Sequence, residues 1–484
     1  MNASALSAGI LLAQILIWSA QAMPATNANE LRSTLEDQVS VAVTIYGEDL
    51  ALVKDRRRTE LPAGRLDLAF RDVSARIRPE TAILRGLSPD SALRVIEQNF
   101  DFDLLTPEKL LEKFVGKRVG VVKNHPTTGE ETEEEAEVLS AAEGTVLRIG
   151  DRIETGVPGR IVYREVPANL RDRPTLVMTL ENGQAEAVEL ELAYLTGGLS
   201  WEANYVGELS PDDDRLDLTG WVTLNNRSGT SYRDARLQLV AGDVNLVEPP
   251  QPPRMRSMVV MAEPQADEMG MDQEALFEYH LYTLPYPTTI ADNQSKQVAL
   301  LNAQGVQVSK ELCFEGSDYY YRRERGEIGV QLKAGVFVEL ENTEESNLGM
   351  PLPRGTVRIY KDDSQGNAQF VGEDSIDHTP RNETVRLKLG DAFDLTADKV
   401  QTEFEKLSGA GPWQYQFESA YRLTIRNAKP ELVNVKVQEP IPGDWEMLEE
   451  SHPHEKASSE TAVWRIAVPA EGDTTLTYRV RVRF

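Results

Sequence analysis

The chain has 484 residues, 40% of them hydrophobic and 27% charged, a composition that excludes a disordered protein and fits a folded globular one. Its 51 basic and 78 acidic side chains leave a net charge of −27. Such a surface repels nucleic acid and anionic lipid, so a polyanionic partner would need a local basic patch.

Residues 1–22 read as a signal peptide. The apolar run Leu11–Ala20 is too short for a membrane span of about 20 apolar residues, and Ala20-Gln21-Ala22 is an A-x-A cleavage site. Cleavage there exports the chain to the periplasm or cell envelope, and with no cysteine at the site no lipid attachment is expected. An N-terminal β-module is expected over 36–100, with strands at Val39–Val53, Leu66–Phe70 and Thr81–Leu87. The best basic patch, Arg56, Arg57 and Arg58, falls on the solvent side of the turn after the first of these. Over 101–170, short strands at Arg118–Val122, Ala136–Ser140, Thr145–Ile149 and Gly159–Val166 predict a small SH3-like β-barrel. A short helix precedes them: Thr106 caps it, Pro107 opens it and Gly116 stops it. The acidic run Glu130–Glu137 reads as a solvated hairpin loop.

Residues 171–247 begin a β-sandwich, and here the period of two is clearest. Val188, Leu190, Leu192 and Tyr194 alternate with Glu189 and Glu191, and Trp201, Ala203, Tyr205 and Leu209 alternate with polar residues. Further runs follow at Leu216–Leu224 and Arg236–Ala241. Residues 248–275 form a flexible Pro/Met-rich linker, and 276–408 continue the sandwich. A second short helix is expected at Ala397–Leu407. Residues 409–484 complete an immunoglobulin-like β-module whose closing strand alternates Leu476, Tyr478, Val480, Val482 and Phe484 with polar side chains. The segments Val222–Asp243, Val338–Asp362 and Leu423–Asp444 echo one another as strand, Asn-containing turn, strand. The fold class is therefore all-β: several antiparallel modules with two short helices.

Chemistry-bearing motifs are sparse. No G-x-S-x-G, S-x-x-K, H-E-x-x-H or G-x-x-x-x-G-K pattern occurs, and Thr196-Gly197-Gly198-Leu199-Ser200 joins two strands as a hairpin. Cys313 stands alone between Leu312 and Phe314, so it forms no intramolecular disulfide and reads as a small core residue. Met255, Met258 and Met261 supply soft thioether ligands suited to Cu(I) and are the only metal candidates retained. His452-Pro453-His454 reads as a surface turn, and Asp212-Asp213-Asp214 as turn chemistry rather than a calcium site.

Five segments carry a resemblance: Asn99–Phe114, Ile149–Ile161, Tyr194–Tyr205, Leu218–Val244 and Phe277–Gln294. They resemble a bacterial family of exported proteins classed as a domain of unknown function, related to mucoidy-inhibitor-like proteins. The resemblance implies an all-β envelope protein and supplies no reaction, cofactor or catalytic residue. The sequence thus points to a non-enzymatic binding or structural protein with protein or glycan partners. Its recognition elements would be sheet edges, loops and exposed aromatics such as Tyr319, Tyr320 and Tyr321. The alternatives are a hydrolase acting on envelope glycan with unidentified carboxylates, and copper binding through the Met-rich loop.

Overall fold

The computed structural model describes residues 30–484, apart from 246–270, 408–414 and a few loop positions (48, 89–91, 102, 126–127, 143, 168–169, 243 and 277–278). Residues 1–22, read as a signal peptide, and Met255, Met258 and Met261 lie outside the described residues. Strands hold 66% of the described residues and helices 4%, so the all-β expectation is met. The chain divides into two compact units.

The first unit spans 56–192 together with the segment up to 39. In one of its sheets, Thr175–Asn182 runs antiparallel to Gly64–Arg71 on one side and Arg94–Asp101 on the other, and Glu30–Ser33 adds a parallel edge. Arg57 corrects the expectation of a solvent-facing patch. It lies within the strand Ala51–Leu61, fully buried, donating to the carbonyls of Ser33 and Arg71 with its guanidinium 3.8 Å from the Phe70 ring centre. Three successive arginines along a strand cannot all face water, because alternate side chains point to opposite faces.

The predicted SH3-like barrel is an open five-stranded sheet instead. Its edge strands, Arg152–Thr155 and Arg160–Val162, are four and three residues long and leave it unclosed. Phe114, Val119, Val121, Val138 and Leu147 form its core beneath the helix Pro107–Lys113, which Thr106 caps through the Lys109 N–H as expected. The acidic run is also corrected: Glu131–Ser140 is a central strand, not a loop. Glu131, Glu133, Glu134, Glu135 and Glu137 find Arg160, Arg164, Lys123, Arg118 and Arg148 on the flanking segments. Opposite charges set side by side across strands stabilise a sequence that looks too acidic to pair.

The second unit comprises 40–55 and 193–484. Leu199–Leu209 pairs along its whole length with Arg215–Asn226, and Trp201, Ala203, Tyr205 and Leu209 are all buried, as the alternation requires. The strand Gln294–Glu315 continues that sheet and carries it to Glu327–Glu341, Thr384–Leu407, Gln416–Asn427 and Gly472–Arg483. A second layer, Val433–Pro440 with Thr461–Val468, packs over the last of these strands. Between the layers sit Leu395, Tyr421, Ile425, Val435, Val437, Trp464, Leu476 and Val480. Each large apolar side chain so buried contributes roughly 1.5–3 kcal/mol.

Residues Ala397–Leu407, read as a helix, belong to the 24-residue strand Thr384–Leu407. The apolar residues Ala397, Val400, Phe404 and Leu407 fall three or four apart and so imitate a helical stripe. The strand periodicity is hidden because two inward positions are polar, Lys399 and Gln401, and because the register shifts between Gln401 and Glu403.

The internal echo has a physical basis. Asn226 and Asn427 each end a strand and Asn342 directly follows one, all three with the side chain buried. Asn226 donates to the carbonyls of Thr230, Ile290 and Ala291; Asn342 to Met350 and Pro380; Asn427 to Glu431, Val468 and Pro469. Asn182 in the first unit does the same for Leu61, Pro62 and Gln184. One amide thus ties each turn to a neighbouring strand. Asn427→Ala strands buried carbonyls, at about 1–3 kcal/mol, and Asn427→Asp gives no rescue because a carboxylate donates nothing. The shift in urea midpoint of the full chain checks this.

Candidate functional site

The most unusual chemistry in the second unit lies on the inner face of three strands, Thr384–Leu407, Gln416–Asn427 and Gly472–Arg483. Cross-strand partners share a face. Register therefore sets Gln401 beside Tyr421 and Tyr478, Phe404 beside Ser419 and Val480, and Lys406 beside Phe417 and Val482. Tyr415 and Phe484 exchange backbone hydrogen bonds at the end of the row. One end of this face is sealed and the other is open.

At the sealed end Lys399 Nζ contacts Glu439 Oε1, each side chain only 2% exposed. Tyr321 donates to Glu439 Oε2 at 2.9 Å and lies 3.1 Å from the Tyr478 hydroxyl. The Lys399 ammonium stands 4.4 Å from the Tyr320 ring centre and 5.4 Å from that of Tyr421, within cation–π range. Gln401 donates to the Tyr421 hydroxyl and to the Tyr320 and Arg323 carbonyls, and accepts from the Arg325 N–H. Gly316 makes room: a Cβ there would stand 2.1 Å from the Glu439 carboxylate. Burial pulls the Lys399 pKa down, although Glu439 opposes the shift. Burial likewise holds the Tyr321 and Tyr478 hydroxyls well above their ordinary range and pushes Tyr421 up to about 12. No substrate reaches a lysine so enclosed, so the network acts as structure.

At the open end the same face carries Phe404, Lys406, Tyr415, Phe417 and Phe484, with Tyr415 half exposed. The rings of Tyr415 and Phe417 are nearly parallel, 7° apart with centres 6.5 Å apart, and Phe404 stacks on Phe417 at 5.6 Å. Lys406 Nζ lies 5.2 Å from the Tyr415 ring centre, and the Arg322 guanidinium 5.5 Å from that of Phe484. None of these residues was singled out from sequence except the terminal aromatic. The alternation Tyr415, Phe417, Ser419, Tyr421 was the available signal.

Other candidates resolve individually. Tyr320 and Tyr321 are buried and only Tyr319 is exposed, which removes two of the three tyrosines expected to meet a partner. Cys313 is buried, its thiol raised to about 11 by burial and by Glu311 and Glu315. Asp213 is occupied by Lys310 and Lys361, whose hydrogen bonds outweigh burial and hold its carboxyl below the usual range. His454 binds Glu450 at 2.8 Å and lies beside the Trp445 and Trp464 rings. Gly198, at φ +82°, donates its N–H to Asp49 in the hairpin expected for this turn. Among the described residues no three of His, Cys, Asp or Glu converge as metal ligands. A depression of about 310 Å³ is lined by Glu208, Asp217 and Asp362 together with Arg215 and Lys361. Asp217 already accepts the Gly305 N–H there, at 2.7 Å.

Comparison with known families matches residues 190–484 to the family described as domain of unknown function DUF4139. The match covers more than half the chain, which therefore belongs to that family. No curated protein matches the chain.

Removing one member of the sealed pair leaves the other charge uncompensated. Lys399→Met alone is expected to cost about 3–5 kcal/mol, and Lys399→Met with Glu439→Leu to return stability near that of the parent. Denaturation midpoints of the three proteins decide it. The tyrosines give a pH dependence of definite sign. Their folded pKa values lie above the unfolded value of about 10, so the stabilisation is whole below pH 10 and falls as pH rises through the folded values. Absorbance at 295 nm should show these tyrosines ionising late, together with unfolding.

Proposed function

We propose that this member of the family is a non-enzymatic protein of the cell envelope that works by binding, with a protein or glycan as partner. The export signal read at residues 1–22 supports the location. Among the described residues no helix is long and apolar enough to cross a membrane.

The observation that carries the binding reading is electrostatic. Among the described residues, Asp103, Glu134, Asp213, Asp363 and Asp398 are the carboxyl groups that depart clearly from their ordinary range, and all five are lowered by hydrogen bonds or lysine and arginine partners. Glycan hydrolysis needs a carboxyl held up, so that it stays protonated to give its proton to the leaving oxygen. Shifts in the opposite direction favour ionised surface groups that order turns and strands. The open aromatic row supplies a recognition surface that such a protein requires.

The test has two arms. The purified chain should release no reducing ends from envelope glycan, and cross-linking in the native envelope should retain a defined partner. Hydrolysis that disappears in Glu208→Gln or Asp217→Asn would overturn the proposal.

A further inference from the structure

The open aromatic row is built by a single irregularity. Between Gln401 and Glu403 the register shifts, a β-bulge that places Thr402 and Glu403 on the same outward side. Without it, strict alternation after Lys399 and Gln401 would turn Glu403 and Glu405 inward. With it, Phe404 and Lys406 take those places. Of the two displaced carboxylates, Glu403 pairs with Arg479 outside, and Glu405 stands opposite Glu418, which itself pairs with Arg481. One inserted residue thus exchanges two acids for an aromatic ring and a cation at this end of the face.

From this geometry we propose that Phe404, Lys406, Tyr415, Phe417 and Phe484, with Arg322 beside them, form a carbohydrate subsite that stacks a pyranose ring of a glycan. The inference rests on the binding reading above and deepens it. A pyranose presents a flat C–H face and a rim of oxygens. The flat face suits Tyr415, which is half exposed and lies parallel to Phe417. The oxygens suit Lys406 and Arg322, which donate hydrogen bonds and stand 5.2 and 5.5 Å from the ring centres of Tyr415 and Phe484. An apolar protein partner would have no use for the two cations that lie over the Tyr415 and Phe484 rings. A single-stranded nucleic acid also stacks on aromatics, but its continuous phosphate charge meets a chain of net charge −27. The rings and Lys406 stand on or at the ends of paired strands, where their spacing is fixed before a ligand arrives.

Calorimetric titration of the full chain with an N-acetylglucosamine oligomer and with a hexuronate oligomer tests this. The subsite is supported if either oligomer binds and Tyr415→Ala weakens it by about tenfold or more, the loss of one stacked ring. Phe393→Ala, at an aromatic exposed elsewhere, should leave binding unchanged. Lys406→Ala separates the two ligand sources: loss confined to the hexuronate assigns the cation to a carboxylate, and equal loss for both assigns it to a hydroxyl. Circular dichroism of Tyr415→Ala, a half-exposed position, confirms that the variant is folded. Binding that survives both Tyr415→Ala and Lys406→Ala overturns the subsite while leaving the binding reading standing. Binding of neither oligomer overturns it too, and a cross-linked protein partner would then carry the broader proposal alone.

Discussion

A lysine and a glutamate lie side by side in the C-terminal sandwich with almost no access to water. Each such ion gives up several kcal/mol of hydration, and their mutual attraction recovers it only if the remaining hydrogen-bonding capacity is met. Much of the local architecture follows from that demand. Tyr321 supplies a donor to Glu439, the rings of Tyr320 and Tyr421 face the ammonium, and Gly316 leaves space for the carboxylate. Gln401 then ties the tyrosines to the Tyr320–Arg325 segment, so a short turn of chain is held against the sheet by side-chain bonds rather than by sheet pairing. With a single cysteine, no disulfide could do this work. The same solution recurs in neutral form at Asn182, Asn226, Asn342 and Asn427, each spreading one amide over two or three carbonyls.

Where apolar residues alternate with polar ones, the sequence was a direct guide. Leu199–Leu209, Arg215–Asn226 and the closing strand Gly472–Arg483 bury the residues their period of two selects. The readings that failed share a cause: a polar side chain pointing inward, or a charge pairing across strands. Arg57 looked exposed because an arginine between two arginines is usually wet, yet two carbonyls and a phenyl ring accommodate it. The acidic run Glu130–Glu137 looked like a loop because its five pairing cations are scattered from Arg118 to Arg164 in sequence and meet only when the sheet forms. The buried Lys399–Glu439 pair was illegible for the same reason. Forty residues apart, neither partner differs in type from the other 14 lysines or the many other glutamates of the chain.

The strand Thr384–Leu407 shows how one feature produced both a misreading and a site. A bulge breaks the alternation that would otherwise have placed Phe404 on the face opposite Lys399 and Gln401; the same bulge decides which side chains meet solvent at the open end. Neither consequence can be reached by propensity, because the bulge is set by pairing with Gln416–Asn427 rather than by the residues it displaces.

The sealed and open ends of this face are mechanically one object. Lys399 and Gln401 lie on the same strand as Phe404 and Lys406, and Tyr421 on the same strand as Phe417, with Tyr415 immediately before that strand begins. A stacking platform recognises a flat ligand only if its rings keep their tilt and separation without the ligand, and short aromatic residues on flexible loops rarely do so. Here the rings inherit their positions from strands whose register is pinned a few residues away by a buried ion pair that tolerates no slip. A shift of one residue would carry Lys399 out of the core and leave Glu439 without its counterion, a cost of several kcal/mol against any such rearrangement. The polar core thereby fixes the geometry of the exposed rings, although it never touches what they bind.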